Sequence, residues 1–160
     1  MLTILLIDDE PDLLAVLGQV LRDEGHTVDL APDAEIAIER LAACSFDLVV
    51  TDVRLPKVDG LTLCHRIRRE FPLTEVLLMT AYGSSIADVV TAMNDSAVAY
   101  LKKPFEFEHL VSAITRIEER RRSKHEQAGS LVLGAPVHSD CPALTVLTGV
   151  ITPSEIERTT

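Results

Sequence analysis

Four short apolar runs in this chain lead directly into residues that can do chemistry. Asp8 and Asp9 follow Leu2 to Ile7, Asp52 follows Leu48 to Thr51, Thr80 follows Val76 to Met79, and Lys103 comes just after Val98 to Leu101. Singly, these residues need no special role: acids suit the start of a helix, threonine suits a strand end, and lysine suits water. Together, if the runs are strands of one sheet, three carboxylates, one hydroxyl and one ammonium fall at one edge. Three acids so placed repel one another unless a cation neutralises them. Oxygen ligands with retained waters suit Mg²⁺, a hard octahedral ion held by about one or two carboxylates plus phosphate. A phosphoryl group completes such a site. One carboxylate can act as nucleophile and become an acyl phosphate, while metal, hydroxyl and ammonium neutralise the equatorial oxygens of the transition state. Thr80 and Lys103 supply the last two.

The elements that must bring these residues together are visible in the hydrophobic pattern. Leu2 to Ile7, Thr27 to Leu30, Leu48 to Thr51, Val76 to Met79 and Val98 to Leu101 are short and mostly apolar on both faces, which is the pattern of buried parallel strands. Between them Leu13, Leu17, Val20 and Leu21 recur at helical spacing, as do Ile36, Ala37 and Leu41, then Leu61, Cys64, Ile67 and Arg68, then Ile86, Val89, Val90 and Met93. A fifth helix follows the fifth strand. Five strands alternating with helices predict a doubly wound α/β sheet with helices on both faces. Pro11 marks the start of the first helix, Pro32 and Asp33 open the second, and Asp59-Gly60 turns into the third. In such folds ligands bind at the carboxyl ends of the strands, where the five polar residues lie.

The composition narrows the remaining options. With 160 residues, 47% of them hydrophobic, the chain can bury one ordinary core with a modest extension. A net charge of −10 opposes phosphate backbones and anionic membranes, so no direct nucleic-acid binding and no membrane association are expected. Cys44, Cys64 and Cys141 are widely spaced with no CxxC pair, so neither a disulfide framework nor a zinc site is expected. The opening MLTILLIDDE has no basic leader and only a short apolar run, and no stretch approaches the roughly 18 apolar residues of a membrane span. A cytoplasmic location is the expectation.

The runs IDDEPD, VVTDVRLPKVDGL, LLMTAYG and AYLKKPF resemble those of two-component response-regulator receiver domains, over residues 1 to about 122. The resemblance implies a flavodoxin-like, CheY-like sheet in the order 2-1-3-4-5, flanked by five helices. It implies that Asp52 is the phosphoacceptor for a phosphohistidine of a histidine kinase or phosphotransfer protein. Asp9, Asp52 and the backbone carbonyl of Arg54 would bind Mg²⁺ directly, and Asp8 through water. Thr80 and Lys103 would each engage a phosphoryl oxygen. Tyr100 matches the switch aromatic, and the Lys103-Pro104 bond would be cis. Such a domain catalyses only its own phosphorylation and dephosphorylation and is not otherwise an enzyme. Ser96 and the preceding Asn94-Asp95 depart from the usual wording of the loop before the fifth strand, and Arg54 and Tyr82 flank the path of attacking water, where they would tune phosphoryl lifetime.

Rival chemistries are poorly supported. A haloacid-dehalogenase-type phosphatase carries a second Asp two residues after its nucleophile, and here that residue is Arg54. There is no GxxxxGK[ST] loop and no GxGxxG. Receiver domains signal by population shift at the face of the fourth helix, fifth strand and fifth helix, here including Ile86, Val89, Tyr100 and Phe105, and a homodimer through that face is a further expected partner. The alternative is that the domain is the regulatory part of a nitrogen-regulatory-class activator of sigma-54 polymerase, whose ATPase and DNA-binding domains are not in this chain. Arg120 to Lys124 is expected to be a solvated helix end, its cations suited to the helix dipole. Only a short seam of Leu110, Ala113, Ile114 and Ile117 precedes it, so no sustained coiled coil is expected. Residues 123–160 form an extension, linker or tail to which the pattern assigns no structure.

Overall fold

A computed structural model describes residues 1–58, 60–80 and 98–128. The chain runs β1 (Thr3–Ile7), α1 (Pro11–Asp23), β2 (Thr27–Ala31), α2 (Ala34–Ala43), β3 (Leu48–Asp52), α3 (Gly60–Glu70), β4 (Glu75–Thr80), β5 (Val98–Lys102) and α4 (Phe107–Ala128). The strands form one parallel sheet in the order β2-β1-β3-β4-β5, as the resemblance implies. The helix α4 is the fifth helix of the sequence reading. The expected fourth, through Ile86, Val89, Val90 and Met93, lies outside the described residues, as do Asp59, Tyr82, Asn94, Asp95 and Ser96.

Alternation along the strands builds two cores. Leu5 and Ile7 of β1 pack with Ala37 and Leu41 of α2 and with Leu63, Cys64 and Ile67 of α3. Ile4 and Leu6 point the other way and join Leu14, Leu17 and Leu21 of α1 with Leu110, Ile114 and Ile117 of α4. Side chains at successive strand positions face opposite sides, so strands covered on both faces are apolar throughout. Each buried Leu or Ile contributes about 1.5–3 kcal/mol relative to exposure.

Local signals start the helices where the sequence places them. Pro11 is the first residue of α1, and Asp33 caps α2 by accepting a hydrogen bond from the Ile36 N–H at 2.9 Å. Among the described residues no helix is long and apolar enough to cross a membrane. Cys64 is a buried free thiol in the core beneath α3.

The basic cluster at the end of α4 departs from expectation. Arg120 pairs with Glu75, Lys124 stands 3.6 Å from the same carboxylate, and Arg121 reaches Asp47 at 2.7 Å. Glu75 is itself buried, at 6% exposure. Burial of that charge requires partners, and the cations are drawn onto the sheet instead of into water. The reading of this stretch as a solvated helix end is therefore corrected for Arg120 and Arg121.

Candidate functional site

The strand register brings four of the five polar positions to one edge. Ile7 pairs with Thr51, so Asp8 and Asp52 leave adjacent strands side by side. Asp52 pairs with Met79 and Thr80 with Lys102, which sets Thr80 and Lys103 one step further on. Backbone bonds carry the ladder past the strand ends: Asp8 N–H to Ala31 C=O at 3.3 Å, Val53 N–H to Met79 C=O at 2.9 Å, and Lys103 N–H to Thr80 C=O at 2.7 Å. The side chains are held by rigid elements, as a site with fixed geometry requires.

Asp8 is fully buried, and Asp52 and Thr80 are each 8% exposed. Each buried carboxylate is held at both oxygens. Asp8 Oδ1 accepts from the Glu10 N–H at 2.9 Å and its Oδ2 from Lys103 Nζ at 3.1 Å. Asp52 Oδ1 accepts from the Arg54 N–H at 2.8 Å and its Oδ2 from Lys103 Nζ at 2.5 Å. Lys103 therefore bridges two acids from different strands. Burial disfavours its charge, but hydrogen bonds to Asp52 and Asp8 outweigh that effect and raise its pKa above the ordinary lysine value.

Asp9 and Arg54 stand exposed beside this pair. Arg54 contributes its N–H to Asp52 in this arrangement. Tyr100 lies on β5 with its side chain outward, at 52% exposure. The Lys103–Pro104 peptide is cis, as the resemblance implies. Gly60 opens α3 with its N–H donating to the Val53 carbonyl at 2.8 Å. A Cβ there would stand 2.1 Å from the Asp52 carbonyl oxygen and 2.8 Å from Val53 Cα, so only glycine lets α3 approach the strand that carries Asp52.

The donor set fits Mg²⁺. Asp8, Asp9, Asp52 and Lys103 together carry a formal charge of about −2, and the acids offer only hard oxygen donors, as a divalent hard cation demands. Among the described residues no three acidic, histidine or cysteine side chains close on a single point.

Three residues outside the polar set at the carboxyl edge also shape the sheet, one near Asp52 and two at the opposite end. Gly60 could be found from its DG turn, but its close approach to Asp52 could not. Glu75 and Asp47 bind α4 at the opposite end of the sheet, and their partners lie 45 and 74 residues away in sequence. No local pattern reports such pairs.

Comparison with known proteins places the molecule. Residues 4–115 match the response regulator receiver domain family. The chain is 36% identical over 138 residues to a Mycobacterium tuberculosis protein named transcriptional regulatory protein TcrA, covering 84% of this chain and 54% of the relative. It is 34% identical over 125 residues to the nitrogen assimilation regulatory protein NtrX of Azorhizobium caulinodans, covering 77% of this chain and 27% of that protein. Among solved structures, the signal receiver domain of an HD domain-containing protein from Pseudomonas fluorescens Pf-5 superposes with a TM-score of 0.70 at 33% identity, covering 76% of this chain and 97% of that one. NtrX from Brucella abortus gives a TM-score of 0.73 at 28% identity, over 86% of this chain and 31% of that one. The chain belongs to the response regulator receiver domain family. It spans about half or less of the length of these curated relatives.

Proposed function

We propose that this receiver is a phosphoacceptor switch in which Asp52 takes a phosphoryl group from a histidine kinase or phosphotransfer protein. The observation that carries the reading is the bridge from Lys103 Nζ to both Asp52 and Asp8 at the carboxyl edge of the sheet. An Asp52 carboxylate oxygen attacks the phosphorus of the donor's phosphohistidine, the P–N bond breaks, and the freed imidazole nitrogen takes up a proton. Lys103 and the Thr80 hydroxyl stabilise the equatorial phosphoryl oxygens. Asp8, Asp9, Asp52 and the Arg54 carbonyl would hold Mg²⁺, which when bound supplies further neutralisation of the phosphoryl charge. The domain turns over no substrate besides its own phosphoryl group.

Phosphorylation then biases two conformations of the molecule. Thr80 moves toward the phosphoryl group, and Tyr100 rotates inward from the outward position it holds here. The changed face of β5 and α4 carries the signal to the next protein or to a second copy of the chain. A second reading, the regulatory part of a transcription factor of the nitrogen-regulatory class, is favoured by the names of the relatives and by the share of their length that this chain spans.

The test is chemical. Acetyl phosphate with Mg²⁺ is expected to add the mass of one phosphoryl group to the intact wild type and none to Asp52→Asn. An unchanged wild-type mass, or a modification that persists in Asp52→Asn, overturns the assignment.

A further inference from the structure

At the amino end of the sheet, opposite the reacting carboxylates, lies a second polar cluster. Asp47, in the turn before β3, donates its N–H to the Thr3 carbonyl at 2.8 Å and accepts the Thr3 N–H on Oδ2 at 2.8 Å. Its Oδ1 takes Arg121 Nη2 at 2.7 Å, while Arg121 Nη1 donates to the carbonyls of Asp47 at 3.1 Å and Leu73 at 2.9 Å. Arg121 thus presents its planar fork to three acceptors and keeps only 17% of its side chain exposed. Beside it Glu75, with a side chain 7% exposed, holds Arg120 and stands 3.6 Å from Lys124.

These contacts begin where hydrophobic packing stops. The buried seam of α4 ends at Ile117, and the next ten residues include no Val, Leu, Ile, Met, Phe, Tyr or Trp. A helix end with nothing to bury frays. Three cations within residues 120–124, each set against an acid of the sheet, replace the missing seam.

We propose that Arg120, Arg121 and Lys124 with Asp47 and Glu75 form an ionic clamp that holds the last turns of α4 against the sheet and so fixes the direction in which the chain leaves the receiver. The folded unit thereby reaches at least to residue 124. Any segment that follows is carried on a helix rigidly tied to β3 and β4, not on a hinge.

Amide hydrogen exchange on the full chain tests this. In Arg120→Gln/Arg121→Gln, amides 118–124 are expected to exchange about tenfold faster or more, with amides 107–117 and the sheet unchanged. Arg121→Lys keeps the charge but not the fork, and is expected to give an intermediate increase. A glutamate-specific protease, whose sites at Glu118 and Glu119 both variants retain, is expected to cut the double variant sooner. Unchanged exchange at 118–124 in both variants overturns the clamp. So does an equal rise across the whole sheet, which would make these pairs general supports of the domain.

Discussion

Lys103 is set between two buried carboxylates that do not pair with each other. Its pKa is shifted upward, the partners' hydrogen bonds outweighing burial, so the folded state holds this proton more tightly than the unfolded chain. Its contribution to stability is present in full below the unfolded value of about 10.4 and is lost as pH rises through the higher folded value. At neutral pH the interaction is complete. Lys103→Met is expected to cost about 3 kcal/mol in urea unfolding at neutral pH, because removing one partner leaves two acids without a counter-charge. Added Mg²⁺ is expected to restore part of that loss in the variant. An unfolding midpoint equal to the wild type would show that water already compensates Asp8 and Asp52. The types of residue at this site were readable from the sequence because each one terminates an apolar run. The double engagement of Lys103 was not, because it depends on the register of three strands.

At the level of elements, the start of the sheet holds a titrating group of its own. His26 Nδ1 accepts the Leu2 N–H at 3.2 Å and links the beginnings of β1 and β2. Burial is the largest influence on His26 and lowers its pKa; Glu118 opposes that effect without cancelling it. The unfolded chain therefore binds a proton more readily than the native one. Stability is full above about pH 6.5 and declines as pH falls through that value, levelling below the depressed folded pKa. His26→Asn, which keeps an acceptor but does not titrate, is expected to flatten the fall in urea midpoint between about pH 7.5 and 5. An identical slope in wild type and variant would assign the pH dependence to other groups. The strands themselves were legible to within one or two residues, since burial on both faces leaves a continuous apolar signature. Glu75 escaped that signature: a charge opens β4 and stays buried because Arg120 arrives from α4. The same long-range pairing explains why Arg120 and Arg121, in a stretch that looks solvated in sequence, lie against the sheet.

Over the whole molecule, the net charge of −10 has a definite distribution. Residues 1–100 carry the entire excess, and residues 101–128 are net +2. The acids at the carboxyl edge of the sheet, Asp8 and Asp52, keep one lysine between them, whereas Glu75 and Asp47 at the other edge are matched by arginines and a lysine. Only the first edge leaves negative charge for a divalent cation. MgCl₂ is expected to raise the thermal midpoint more than NaCl of equal ionic strength, by about 2.7 kcal/mol of added stability when the ion is a hundredfold above its dissociation constant. Asp8→Asn and Asp52→Asn are each expected to reduce that increment. A rise that NaCl reproduces in full would mean general screening, without a discrete site.

The helix α4 runs antiparallel to the strands it covers, so its last turns meet Asp47 and Glu75 at the pole farthest from Asp52. Substitutions at the two poles share no partners, and their energetic effects should combine by simple addition. Such independence makes the two poles separately adjustable: a substitution at Asp47 or Glu75 alters how firmly the helix end is held without changing the contacts of Lys103, and the reverse.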